Sequence, residues 1–207
     1  MLLSEKDKKS IAEAVKRAEM TTSGEIVFAL ADSSGHYHHA TLLGALIGAV
    51  AAAALYLALP ISHSIDLVLW AEIIAFALVY AVLPHLSLRH WFIPGREMND
   101  CVHDAAFREF YSSGLYKTRA ANGVLIYLSC FEHRVVVLGD KGIHEKMGDP
   151  HWHEVRDRII QGIRQGQAVT GICDAIDLCG KALAANFPHL PDDVNELSDD
   201  VIDRTKH

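Results

Sequence analysis

Two nearly uncharged apolar runs, Thr41 to Leu59 and Leu67 to Leu83, are joined by the short link Pro60-Ile61-Ser62-His63-Ser64. Each run approaches the ~20 residues that a helix rising ~1.5 Å per residue needs to cross a ~30 Å hydrocarbon layer. Leu42 to Leu59 carries no charge and no polar side chain beyond Tyr56, whereas a core helix of a soluble bundle normally keeps a polar face over five turns. The segment 41–84 therefore reads as a transmembrane hairpin with spans at 41–59 and 66–84. A pair of buried helices is the competing reading.

A two-span hairpin returns the chain to its starting side, so the segments before Ala40 and after Pro84 share one compartment. The tip has no Lys or Arg, while Arg89 and Arg96 follow the second span, which predicts a multi-pass inner-membrane protein with a cytoplasmic soluble part. Met1 to Arg17 is charged and amphipathic without an apolar h-region, so no export signal is expected there. Cys101, Cys130, Cys173 and Cys179 form no CxxC pair, which fits reduced thiols.

Gly44, Gly48 and Ala52 recur every four residues and place a smooth stripe on the first span, suited to close packing against the second span or a second copy. Glu72 is the intramembrane acidic residue, two turns inside the second span, where an ionised carboxylate is costly unless paired, hydrated or protonated. It reads either as a relay residue or as a protonated or interface-reaching side chain near Trp70. Tyr37 and Trp91 suit an aromatic belt at the opposite surface.

Outside the hairpin, roughly 150 residues suffice for one core. Ser4-Glu5-Lys6-Asp7 resembles a capping box, and Ile11, Ala14, Val15 and Ala18 share a face, so a helix is expected from Glu5 to Glu19. Ile26 to Leu30 is apolar on both faces, as in a central strand. A second amphipathic helix is expected over Glu97 to Ser112, then strands at Gly123 to Ser129 and Arg134 to Leu138 joined as an antiparallel hairpin. Asp149 as cap with Pro150 after it opens a helix that Gly162 and Gly166 end, and a last helix runs from Gln167 to Asn186. Pro191 to His207 holds six acidic residues against two basic ones and reads as a disordered or loosely docked acidic tail. The expected organisation is 4–32 and 96–188 as two parts of one domain, interrupted by 41–84 and followed by the tail 189–207. The sheet is expected to have three strands. The net charge of −7 comes largely from that tail, and no basic stripe or aromatic platform marks a nucleic-acid binder.

Several blocks in order carry a likeness: Thr22-Ser23-Gly24-Glu25-Ile26-Val27, Gly114 to Thr118 leading into Asn122 to Ile126, Arg134 to Ile143 through Gly139-Asp140-Lys141-Gly142, the Trp152 helix, and Ala184-Asn186-Phe187-Pro188. Over Ser4 to Pro188, hairpin excepted, the chain resembles the TPM domain family. The resemblance implies a small α/β sandwich with helices on a short mixed sheet, commonly membrane-attached. It also implies one of several dissimilar roles: phosphatase-like activity, photosystem repair in plastids, or receptor assembly in animals.

In an antiparallel pair the start of the Gly123 strand lies beside the end of the Arg134 strand. Thr118, Arg119, Asn122, Asp140 and Lys141 should gather there, with Asp149 able to join them, offering carboxylates to a divalent cation and amides to an anion. The competing reading makes Asp140-Lys141-Gly142 a turn and Asp149 a helix cap. The resemblance favours a site at Asp140 without identifying a nucleophile.

Phosphatase and protease signatures are missing: Cys101 and Arg108 fall inside a helix, and Asp157 stands where a second zinc-binding His would be needed after His153-Glu154. His36, His38 and His39 could bind zinc, yet no further ligand is defined by spacing. The expected function is a membrane-anchored interaction, assembly or quality-control module whose partner is another membrane protein. The alternative is a weak metal-assisted phosphatase at the Asp140 sheet edge.

Overall fold

The computed structural model describes residues 3–60, 64–147, 150–189 and 195–205. These fall into two compact units, one formed by Met1–Ser34 with Asn99–His207 and the other by Gly35–Met98.

The first unit is a mixed four-stranded sheet with helices on both faces, in strand order β3-β2-β1-β4. Helix α1 (Glu5–Glu19) opens on the expected capping box, the Ser4 hydroxyl accepting the Asp7 N–H while the Asp7 carboxylate accepts the Ser4 N–H at 2.9 Å. Strand β1 (Glu25–Ala31) is buried along its whole length, as its unbroken apolar run requires. It pairs in parallel with β2 (Gly123–Ser129), Glu25 opposite Gly123. Strand β3 (Arg134–Gly139) returns antiparallel to β2, with Leu125 opposite Leu138.

Side chains alternate between two cores. Ile26, Phe28, Leu30, Val124 and Ile126 face one, closed by Ile11 and Val15 of α1, Val155 and Ile159 of α6 (Pro150–Arg164) and Ile172, Ile176 and Leu183 of α7 (Ala168–Asn186). Val27, Ala29, Leu125 and Tyr127 face the other, closed by Val102, Ala106 and Phe110 of α4 (Gly95–Ser112). Gly162 does not end α6. A Cβ there would lie 2.6 Å from the Gly171 Cα of α7, so the two glycines let α6 and α7 cross almost backbone to backbone.

Two elements lie outside the sequence expectations. Lys141–Met147 forms the short helix α5, where the sequence offers no helix and a turn at Asp140-Lys141-Gly142 is one of two readings. The tail is not wholly disordered or loosely docked: Ile202–Arg204 forms β4, parallel to β1 with Ala29 opposite Ile202, so the sheet has four strands instead of three. Lys8 holds Asp203 at 2.7 Å, and Arg204 grips Glu109 of α4 through two hydrogen bonds of 3.1 Å. Those pairs supply what the sparse apolar content of the tail lacks.

The second unit contains α2 (His38–Ala58) and α3 (Ile65–Val82), long and apolar enough to cross a membrane. They run antiparallel, because Gly44 meets Leu83 and Gly48 meets Val79. The small-residue stripe is thus used within the chain. No residue of α3 is buried, and Leu46, Ile47, Leu69, Ile73 and Leu78 are exposed. Glu72 is half-buried on α3. Trp91 is exposed as expected, but Tyr37 is not available to an aromatic belt, since it is 2% exposed with its ring over Gly35.

Candidate functional site

The β2-β3 ladder carries Gly139 opposite Val124, and the next residue, Asp140, donates its N–H to the Gly123 carbonyl at 2.8 Å. Chain direction then changes into α5. The Asp140 carboxylate accepts the Lys141 N–H at 2.7 Å, and its carbonyl accepts the Ile143 and His144 N–H groups at 3.0 Å. Gly142 donates to the Ala121 carbonyl at 3.0 Å, and a Cβ there would stand 2.7 Å from that oxygen, so the turn at Ala121 and the start of α5 are built against each other.

The other residues of this sheet end have partners of their own. Thr118 is buried, donates to the Leu115 carbonyl at 3.2 Å and accepts the Asn122 N–H at 3.3 Å. The Arg119 N–H meets the Glu196 carboxylate at 3.3 Å, and the Asn122 amide donates to the Ser23 carbonyl. Lys141 extends to Glu145 at 3.8 Å. Asp149 lies outside the described residues. Among the described residues, no group of three or more His, Cys, Asp or Glu side chains is placed to hold a metal ion, and His36 and His38 stack with ring centroids 6.2 Å apart.

Beside Asp140 lies a cavity of about 310 Å³. Phe107, Phe110 and Tyr111 of α4 form one wall, Trp152 of α6 another, and Val137 to Asp140 of β3 with His144 complete it. A Cβ at Gly139 would lie 2.6 Å from Ile143 Cγ2, so the glycine lets α5 fold back closely on the end of β3. Phe107, Phe110 and Tyr111 stand at the i, i+3, i+4 spacing that puts side chains on one helix face, a signal that sequence reading could have used.

A group of carboxylates occupies the start of β1. Buried Glu25 accepts the Glu196 N–H at 3.0 Å, and Glu19 accepts the Ile26 N–H at 2.7 Å. Burial pushes the Glu19 carboxyl up to about 9, with the neighbouring charges of Glu25 and Asp199 and a hydrogen bond with Asp199 acting in the same direction. A neutral Glu19 can donate to Asp199, so this group fastens the segment after α7 to the sheet. Thr22 works in the same seam, donating to the Phe187 carbonyl at 2.6 Å. The block Thr22 to Glu25 therefore has a structural reason for its residue types.

At the other end of β2, buried Ser129 and Glu132 bond to each other, and Glu132 accepts the Ser34 N–H at 3.0 Å and the Ser33 hydroxyl at 3.2 Å. This network ties the segment after β1 to the β2-β3 turn.

Comparison with known proteins agrees with the architecture. Residues 89–182 match the family model TPM_phosphatase, described as the TPM domain. The fold is similar to the NMR structure of the BA42 protein from the psychrophilic bacterium Bizionia argentinensis, at 25% identity and a TM-score of 0.61, covering 98% of this chain and 96% of that one. No curated protein matches the chain.

Proposed function

We propose that this chain is a membrane-anchored TPM-domain protein, with α2 and α3 as its multi-pass hairpin in the inner membrane and the TPM unit on the cytoplasmic side. There it serves as an interaction, assembly or quality-control module for another membrane protein. The observation that carries the anchoring is α3, which buries none of its residues while presenting Leu69, Ile73 and Leu78 outward, a surface that lipid would cover and water would not. Arg89 and Arg96 after the second span support the cytoplasmic side.

The module reading draws on the chemistry beside Asp140. Aromatic rings and one carboxylate line that cavity, while Thr118 and Asn122 spend side-chain hydrogen bonds on backbone and the Arg119 N–H is taken by the Glu196 carboxylate. Crosslinking with mass spectrometry in native membranes should give reproducible links from Lys6, Lys141 and Lys181 to a membrane protein on the cytoplasmic face. Periplasmic reactivity of those lysines would overturn the orientation, and turnover by the pure protein with no reproducible partner would overturn the module.

The name of the matched family favours a second reading, a metal-assisted phosphatase at the Asp140 edge. The full-length protein in detergent, assayed on a generic phosphoester with and without divalent cations, tests it. Equal rates for wild type and Asp140→Asn dispose of it.

A further inference from the structure

We propose that the aromatic cavity beside Asp140 is a recognition pocket for one lysine or arginine side chain presented by a partner protein. The proposal rests on the module reading and deepens it. Phe107, Phe110, Tyr111 and Trp152 line it, and aromatic rings attract an ammonium or guanidinium through their negative quadrupoles while packing against the apolar stem behind it. Asp140 supplies the countercharge at the same wall.

That carboxylate is open to such a partner. One of its oxygens accepts the Lys141 N–H at 2.7 Å, and among the described residues neither nearby lysine turns toward it. Lys141 reaches Glu145, and Lys146 lies over the Phe187 ring, 4.1 Å from its centroid. A cavity of about 310 Å³ is at the small end of ligand sites, enough for one long side chain.

Several rings continue beyond the cavity. Phe107 is 51% exposed, Tyr111 62% and Tyr116 49%, with the Tyr111 and Tyr116 rings 5.4 Å apart. A small free amine would leave these rings in water, whereas a protein carrying the basic side chain would cover them, and Tyr and Trp are the residues that dominate such contacts.

The full-length protein in detergent can be titrated with capped tripeptides bearing a central lysine, arginine or norleucine, following the Trp152 indole by NMR with Trp152→Phe as the assignment control. Lysine and arginine peptides should shift that resonance, the norleucine peptide binding about threefold to tenfold more weakly. Asp140→Asn keeps an oxygen for the Lys141 N–H and should bring lysine down to the norleucine level. Tyr111→Ala, at an exposed position, should weaken both basic peptides by a similar factor.

Norleucine binding as tightly as lysine overturns the proposal, as does an Asp140→Asn titration equal to wild type, or a Trp152 signal that no peptide moves. A partner captured equally by wild type and Asp140→Asn overturns the pocket while sparing the module reading.

Discussion

Lys8 Nζ stands 2.7 Å from Asp203 Oδ2, each side chain only 16% exposed, and this pair joins the first helix to the last strand across nearly the whole sequence. Partial burial of Asp203 opposes its ionisation, but the Lys8 ammonium and the Thr205 hydroxyl and N–H outweigh it and bring the carboxyl down to about 2. A folded-state value below the unfolded one contributes stability that is present above about pH 4 and lost as pH falls toward 2. Asp203→Asn should lower the thermal midpoint at pH 7 by roughly 1–3 °C. The difference from wild type should shrink on acidification, and a deficit that is the same at pH 7 and pH 2.5 would sink the assignment.

Glu19 has the opposite sign. Its folded value near 9 exceeds the unfolded one, so stability is fully present below about pH 4.5 and declines as pH rises toward 9. Gln in its place keeps an acceptor for the Ile26 N–H and a donor for Asp199 without any proton to lose. Glu19→Gln should match wild type at pH 5 and be the more stable protein at pH 8.5, measured by thermal unfolding. Parallel pH curves for the two proteins would show that Glu19 does not hold its proton.

Gly162 sets two effects against each other. Alanine favours a helix interior over glycine by about 1 kcal/mol, but the added methyl meets backbone, the Gly171 Cα at 2.6 Å and the Gln167 carbonyl at 3.0 Å, and neither can rotate away. Overpacking of this kind costs about 1–3 kcal/mol, so Gly162→Ala should be net destabilising by about 1 kcal/mol. A gain in chemical-denaturation midpoint would show that α6 and α7 can separate freely.

Gly48 lies against the Val79 side chain, the position of a Cβ being 2.8 Å from Val79 Cγ2. Gly48→Ile should wedge α2 from α3 and lower the unfolding temperature of the detergent-solubilised protein by several degrees, while Leu46→Ile, on an exposed face, should leave it unchanged. If the stripe served self-association instead, Gly48→Ile would change the oligomeric mass and leave unfolding as it was.

Most of the elements were legible in the chain because their patterns are local. The α1 cap, the doubly buried run at Ile26 and the spacing of apolar residues in α7 each specify an element through contacts a few residues apart. The same held for the antiparallel return of β3, whose connection is short. Less of the candidate site was legible. Topology alone placed Asp140 beside the start of β2, yet the Thr118 and Asn122 side chains bond to nearby or distant backbone and the Arg119 N–H to the Glu196 carboxylate, which residue type does not reveal.

The apolar runs, the periodicities and the turn residues thus determined which segments become helices and strands, and they made an α/β domain interrupted by two long apolar helices the natural reading. Tertiary structure alone decided that Ile202–Arg204 is a strand and that rings from α4 and α6 meet around Asp140. A three-residue strand has no hydrogen bonds of its own and exists because β1 offers an edge and Lys8 and Glu109 offer opposite charges. A cavity likewise belongs to no segment, being the space left where separate elements pack.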